Sequence, residues 1–283
     1  MTLSQLKKHF SDSLSEIYTE SESTFVFQIF AEDILALNNF QQRQSANLEL
    51  SDEIINKFQQ IVSELKSGKP YQHILGKTEF YGMKIFLDEN VLIPRPETEE
   101  LLEMTIQKIS NFKPQILNLK ILDIGTGSGI IPLVLKKDFP EAEVHSIDFS
   151  EKALEVAQKN AEFHQLEINF IHEDYLNFEL NEKYDIIISN PPYIGIDEEV
   201  EIADSVKEFE PKMALFSPTS DALIFYRKIA EDSKKYLNVN GLLFLEINQK
   251  LGKETLELYK ETFFEVHLIK DLSENDRFIF GIK

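Results

Sequence analysis

The chain has 283 residues, 42% of them apolar and 22 of them Phe, enough for a sizeable core and too many for wholesale disorder. Acids outnumber bases 49 to 29, a formal net charge of −20, and that field opposes the approach of nucleic acid and favours a partner carrying positive charge. With no cysteine there are no disulfides, thiolate metal sites or thiol nucleophiles, no metal site is assigned, and a reducing, cytoplasmic compartment fits best.

The opening MTLSQLKKHFSDSLSEIY is charged every few residues and lacks the apolar core of a signal peptide. The longest uncharged apolar stretch, after Asp123, is broken by Gly, Thr, Ser and Pro132 and is too short to span a bilayer, so a soluble protein with no membrane partner is expected.

Residues 1–75 read as a small helical bundle. Leu3, Leu6, Phe10, Leu14 and Ile17 recur at helical spacing, and Val26, Ile29, Phe30 and Ile34 form a second stripe. Ser51 is placed to cap a third helix carrying Ile54, Ile55, Phe58, Ile61, Val62 and Leu65, which Gly68 and Pro70 then stop. Residues 76–93 change to short β-like runs, Phe80-Tyr81 and Met83 to Leu87, around Gly82, and read as a hairpin linking two domains.

Residues 94–283 form the larger region. After Pro94-Arg95-Pro96 a helix starts at Glu97, and beyond it the chain alternates. Strands are expected near Ile121–Ile124, Val144–Ile147, Ile168–Ile171, Tyr184–Ser189 and Leu242–Ile247, with helices between them. Near-continuous apolar strands alternating with helices indicate an α/β fold whose parallel sheet is covered on both faces. The tail, Phe264–Ile269 and Arg277–Ile282, adds two strands with no helix between them, hence an antiparallel edge.

Asp123-Ile124-Gly125-Thr126-Gly127-Ser128-Gly129 lies where the first of these strands turns into its helix, the usual ligand position in such sheets. Asp148 ends the next strand, where a carboxylate can hydrogen-bond both ribose hydroxyls of an adenosine. The glycines are spaced G-x-G-x-G, and Ile130 stands where a dinucleotide fingerprint has its third glycine. No Lys-Ser/Thr pair follows, so a phosphate loop is excluded, and S-adenosyl-L-methionine, which has no pyrophosphate to cradle, suits the turn better than NAD. Asp174-Tyr175 follows the third strand on the expected adenine side, with Tyr175 to stack and Asp174 to accept from the exocyclic amine. Asp123 is a candidate for the cationic amino acid end of the cofactor.

Asn190-Pro191-Pro192-Tyr193 comes directly after the fourth strand. An amide nitrogen delocalises its lone pair and attacks a sulfonium methyl poorly, so a site must hold both N–H bonds and aim the lone pair along the S–CH₃ axis. The Asn190 side-chain oxygen can accept one hydrogen and the Pro191 carbonyl the other, while the prolines stiffen the corner and Tyr193 packs on the flat face of the substrate. Catalysis would then rest on orientation and on desolvation of the sulfonium. The pattern points to methylation of a planar amide or exocyclic amine.

The glycine turn and Asn190–Tyr193 are shared with amino-methyltransferases generally, DNA adenine ones included. Gly76–Gly82, Leu92–Glu99, Phe209-Glu210-Pro211 and Asp271–Arg277 are narrower, and with them the chain resembles the release factor glutamine methyltransferases, the HemK/PrmC family, over nearly its full length. The resemblance implies a helical N-terminal domain that recognises substrate, a hairpin linker, and a Rossmann-like seven-stranded methyltransferase domain. It implies methyl transfer to the glutamine of the Gly-Gly-Gln loop of class I peptide chain release factors, leaving S-adenosyl-L-homocysteine. Gly125 to Gly129, Asp148, Tyr175 and Asn190 would touch the cofactor, and Asn190 to Tyr193 the glutamine. Where the family often has Trp beside the adenine this chain has Tyr175, which keeps a stacking face.

Between Ile194 and Pro211 stand seven acids and one Lys, a segment that suits a basic protein surface and repels phosphates. The competing reading is a DNA adenine or other nucleic-acid amino-methyltransferase, which uses the same Asn-Pro-Pro-Tyr. Against it stand the acidic field and the lack of a basic, aromatic-interleaved segment, so no DNA partner is expected.

Overall fold

Helices in the N-terminal part begin where a side chain can satisfy an orphan backbone N–H. In the computed structural model, which describes residues 1–112, 118–195 and 208–283, the chain divides into two units, Met1–Gly76 and Lys77–Lys283. The first holds α1 (Leu3–Leu14), α2 (Glu20–Leu35), α3 (Asn39–Gln44), α4 (Asp52–Lys66) and α5 (Tyr71–Leu75). Thr2, Thr19 and Asn38 build reciprocal capping boxes, and Ser51 Oγ accepts from Ile54 N at 3.4 Å. Leu3, Leu6, Phe10 and Leu14 close a core with Val26, Phe27, Phe30, Phe58, Ile61 and Leu65. Ile17 departs from the expected stripe: α1 ends at Leu14, and Ile17 lies exposed in the turn that leads to the Thr19 cap.

The second unit opens with a hairpin, β1 (Lys77–Phe80) and β2 (Met83–Phe86). Tyr81, expected in the first strand, is in the turn: Tyr81 and Gly82 have φ of 49° and 65°, the two left-handed residues whose twist matches paired antiparallel strands. Met83 and Ile85 point into this unit's own core.

The sheet comprises β3 (Lys120–Ile124), β4 (Glu143–Asp148), β5 (Asn169–His172), β6 (Tyr184–Ser189), β7 (Leu237–Glu246), β8 (Glu265–Lys270) and β9 (Asp276–Ile282), in the order β5-β4-β3-β6-β7-β9-β8. The pairings among β5, β4, β3, β6 and β7 are parallel, and β9 runs antiparallel to both its neighbours. The antiparallel strand is therefore one place in from the edge, and β8 is the edge itself. Asp271 shapes the β8–β9 turn, accepting from Ser273 N, Asn275 N and Arg277 Nε.

Strand residues alternate between two cores. Ile121, Ile186, Ile188, Leu242 and Phe244 face one layer with α6 (Pro96–Phe112), α7 (Ile130–Asp138) and α8 (Glu151–His164). Leu122, Ile124, Ile187, Leu243 and Leu245 face the other, with α10 (Ile224–Tyr236) and the region of α11 (Gly252–Glu257). A short α9 (Lys212–Leu215) precedes α10. Burial on both faces is why these strands lack polar alternation. Among the described residues no helix is long and apolar enough to cross a membrane.

Fully buried Asn160 on α8 ties the hairpin to the glycine turn. Its Nδ2 donates to Phe86 O at 3.0 Å and Ser128 O at 2.9 Å, and its Oδ1 accepts from Phe86 N at 2.7 Å. Asn160→Ala strands three buried backbone groups, so urea titration should show the larger unit destabilised by about 2–4 kcal/mol. Ser51→Ala should cost the helical unit about 1 kcal/mol in the same measurement.

Candidate active site

Strands β3 and β6 pair in register up to Ile124 opposite Ser189, and Ser189 Oγ donates to Ile124 O at 2.7 Å. The residues that follow, the glycine turn and the Asn-Pro-Pro corner, therefore leave the sheet side by side at its carboxyl edge. Gly125 has φ of 89°, and a Cβ there would lie 3.5 Å from the Asn190 carbonyl oxygen. Glycine both permits the turn and lets the two loops approach.

A cavity of about 350 Å³ opens at this junction, within the usual size of small-molecule sites. Gly125, Thr126, Gly127, Ser128, Asp148, Asp174, Tyr175, Asn190, Pro191 and Pro192 line it, bringing together most of the residues singled out in the sequence. Among the described residues the charged ones of its wall are Asp148 and Asp174, both acids. Such acids fit a cationic ligand.

Asp148 Oδ2 accepts from Gly127 N at 2.9 Å and Oδ1 from Ser150 N at 2.8 Å. Each oxygen keeps a second lone pair for a ligand hydroxyl. Burial raises its pKa, opposed by these backbone hydrogen bonds. Asp174 caps its own turn, accepting from Leu176 N and Asn177 Nδ2. Tyr175 reaches the cavity but is largely core, with Lys228 Nζ 5.0 Å from its ring centroid. Burial, with Asp232 beside it, raises its hydroxyl pKa well above the usual value.

Three expected site residues do not line the cavity. Gly129 starts α7 at φ of 83°, where a Cβ would sit 3.0 Å from Ala157 Cβ, so it serves the packing of α7 on α8. Tyr193 turns into the sheet's second core layer, where its hydroxyl donates to Glu246 Oε1 at 3.3 Å and its backbone oxygen accepts from Asn248 Nδ2. Asp123 is also off the wall: it is fully buried, Oδ2 accepts from Ser146 Oγ at 2.6 Å, and Oδ1 has no donor. Burial pushes its pKa up to about 8 against the Ser146 hydrogen bond, with Asp148 adding to the rise.

Sequence reasoning missed several wall residues. Thr98, in the first turn of α6, accepts from Asn190 Nδ2 at 3.2 Å and donates to buried Glu246 Oε2 at 2.9 Å. An acid ending the apolar run Leu242–Leu245 was the available signal for Glu246. Leu92, Pro94, Phe149, Met213, Phe216 and Phe225 add apolar wall, with Phe149 and Met213 exposed. Glu210 joins two wall segments, accepting from Ile93 N at 3.1 Å and from the Arg95 guanidinium. Ile194 pairs with Phe216 and sets the far side of the corner. Most of the acidic stretch noted in the sequence, 196–207, lies outside the described residues.

Among the described residues one group has metal-binding spacing, Glu143, His145 and Glu182, at the opposite, amino end of the strands. The Lys120 ammonium already bonds both carboxylates there and supplies the cation.

Residues 5–76 match the PrmC N-terminal domain model, and residues 103–208 match the Methyltransferase small domain model. The chain is similar to the release factor glutamine methyltransferase of Flavobacterium psychrophilum, 45% identical over 99% of this chain and 98% of that one. It is similar to the Streptococcus pneumoniae protein of the same name, 39% identical over 99% and 98% of the two chains. Among solved structures, a methyltransferase from Pyrococcus furiosus shares the fold, with a TM-score of 0.53 at 19% identity, covering 78% of this chain and 98% of that one. The chain is a methyltransferase and belongs to the release factor glutamine methyltransferase family.

Proposed function

We propose that this chain transfers a methyl group from S-adenosyl-L-methionine to the side-chain amide nitrogen of the glutamine in the Gly-Gly-Gln loop of class I peptide chain release factors. The observation that carries the reading is the approach of the Asn190 carbonyl to within 3.5 Å of a Cβ position at Gly125 across one acid-lined cavity. A cofactor at the glycine turn and an amide at the Asn-Pro-Pro corner would then be neighbours. The names of the relatives support release factors as substrate.

The cavity suits this cofactor because its charged lining is acidic and the glycine turn leaves room beside Gly127, where a Cβ would meet nothing within 4 Å. When bound, S-adenosyl-L-methionine supplies an electrophilic methyl on a sulfonium and leaves as S-adenosyl-L-homocysteine. Of the residues that line the cavity, Asp148 would hold the ribose hydroxyls on its free lone pairs, Gly125 to Ser128 would border the amino acid end, and Tyr175 with Asp174 the adenine. Asn190 Oδ1 and the Pro191 carbonyl accept the two amide hydrogens of glutamine, holding the nitrogen lone pair toward the methyl carbon. These two acceptors would orient the nitrogen, which would lose its proton once methylation made it acidic. The N-terminal helical unit contributes to recognising the release factor, and the site of action is the cytoplasm.

Incubation with labelled cofactor and a class I release factor should place a single added methyl on one glutamine by mass spectrometry; label in duplex DNA and none in the factor would overturn the reading. Asn190→Ala should lower kcat by about 100-fold or more while leaving S-adenosyl-L-homocysteine affinity, measured by calorimetry, within a few-fold. Asp148→Ala should do the reverse, weakening that affinity by about 10-fold or more.

A further inference from the structure

We infer that Thr98 and Glu246 are positioning residues that hold the Asn190 carboxamide with its oxygen, and not its nitrogen, toward the reacting amide. The inference rests on the glutamine-methylation reading. A carboxamide is nearly symmetric in shape, so turning it over costs little sterically, yet only one orientation is productive. The incoming glutamine nitrogen carries two hydrogens and needs acceptors; an Asn190 NH₂ group in that place would oppose donor to donor. Some part of the protein has to select the orientation.

The selection lies in a hydrogen-bond chain with one direction. Asn190 Nδ2 donates to Thr98 Oγ1 at 3.2 Å, and Thr98 Oγ1 donates to Glu246 Oε2 at 2.9 Å. A threonine hydroxyl has a single proton. While that proton is given to an ionised carboxylate, which can only accept, the hydroxyl offers Asn190 nothing but lone pairs. An inverted Asn190 would face oxygen against oxygen. Among the described residues nothing donates to Asn190 Oδ1, so it is left for substrate.

Glu246 is built for this duty. It is 1% exposed, its Oε1 accepts from the Tyr193 hydroxyl at 3.3 Å, and the Tyr226 hydroxyl bonds its backbone oxygen at 3.1 Å. Tyr193 and Asn190 thus belong to one loop anchored twice on one carboxylate, directly for Tyr193 and through Thr98 for Asn190. This gives Tyr193 a part in the site although it does not line the cavity.

Charged groups reach Glu246 from two further elements, Arg277 of β9 favouring ionisation and Glu97 of α6 opposing it. Burial is the largest influence and raises its pKa to about 7, against the hydrogen bonds from Thr98 and Tyr193. Protonated Glu246 can itself donate to Thr98 Oγ1, freeing the threonine proton to turn toward Asn190 and removing the constraint on the flip. Turnover should therefore fall as pH drops through about 7.

The test compares wild-type, Glu246→Gln, Thr98→Val and Thr98→Ser. Gln at 246 can donate to Thr98 and mimics the protonated state; Val keeps the shape of Thr without its hydroxyl. Both should lower kcat on release factor by about 10- to 100-fold, with KM and S-adenosyl-L-homocysteine affinity within about twofold of wild-type. Glu246→Gln should also lose the acid limb of the pH profile, and Thr98→Ser should restore most of the turnover lost in Thr98→Val. The side-chain NH₂ signals of Asn190, assigned in ¹⁵N spectra by their loss in Asn190→Asp, should shift and exchange faster in Glu246→Gln and Thr98→Val. This readout needs no turnover, so it judges the inference even if wild-type leaves glutamine unmodified, a result that would sink only the proposed function. Unchanged Asn190 signals in both variants would overturn the inference. So would kcat losses matched by equal losses of cofactor-product affinity, or Thr98→Ser as impaired as Thr98→Val.

Discussion

The register of β3 against β6 is the constraint on which the site depends. Ile124 stands opposite Ser189, and the Ser189 hydroxyl bonded to Ile124 O makes the two strands end together. A slip of one residue would move the Asn-Pro-Pro corner by about 3.3 Å and exchange the faces of β6. Strand register is strongly specified where both faces are buried in different cores, and here Ile186 and Ile188 belong to one core and Ile187 to the other. Packing far from the cavity therefore sets a distance inside it.

The site's charge arrangement follows the same economy of position. Asp123 and Glu246 are both fully withdrawn from solvent near the carboxyl ends of β3 and β7, the strands on either side of β6, and burial raises both, to about 8 and about 7. They differ in how they are satisfied. Both Glu246 oxygens accept from hydroxyls, whereas Asp123 has one oxygen without a donor. With Asp148 and Asp174 on the wall, acids surround the glycine turn, and among the described residues no Lys or Arg of the cavity lining offsets them.

Much of this was legible in the sequence because it depends on local pattern. The buried strands showed as apolar runs, the glycine turn and Asp148 as a spaced pair, and Asn190 to Pro192 as a motif at a strand end. What escaped depends on non-local geometry. Thr98 and Glu246 are 148 residues apart and meet only because α6 covers β7, while Glu210 reaches back 117 residues to Ile93. Tyr193 and Gly129 were assigned by motif membership, but a motif does not say which way a side chain turns: one faces the core, the other meets a helix. The short α3, α5, α9 and α11 are four to six residues long, too few for a periodicity to declare itself.

The placement of β9 between β7 and β8 has a consequence for how the larger unit is made. Residues 237–246 leave the ribosome before 276–282, so β7 emerges with one side unpartnered and carrying Leu242, Phe244 and Leu245. Until β9 arrives that edge is a template for pairing with another chain. Lys283 closes the same region, its ammonium reaching the carbonyls of Ser233, Lys234 and Leu237. The sheet is thus completed only after β9 has followed β7 out, and until then the open edge belongs to the strand that carries Glu246.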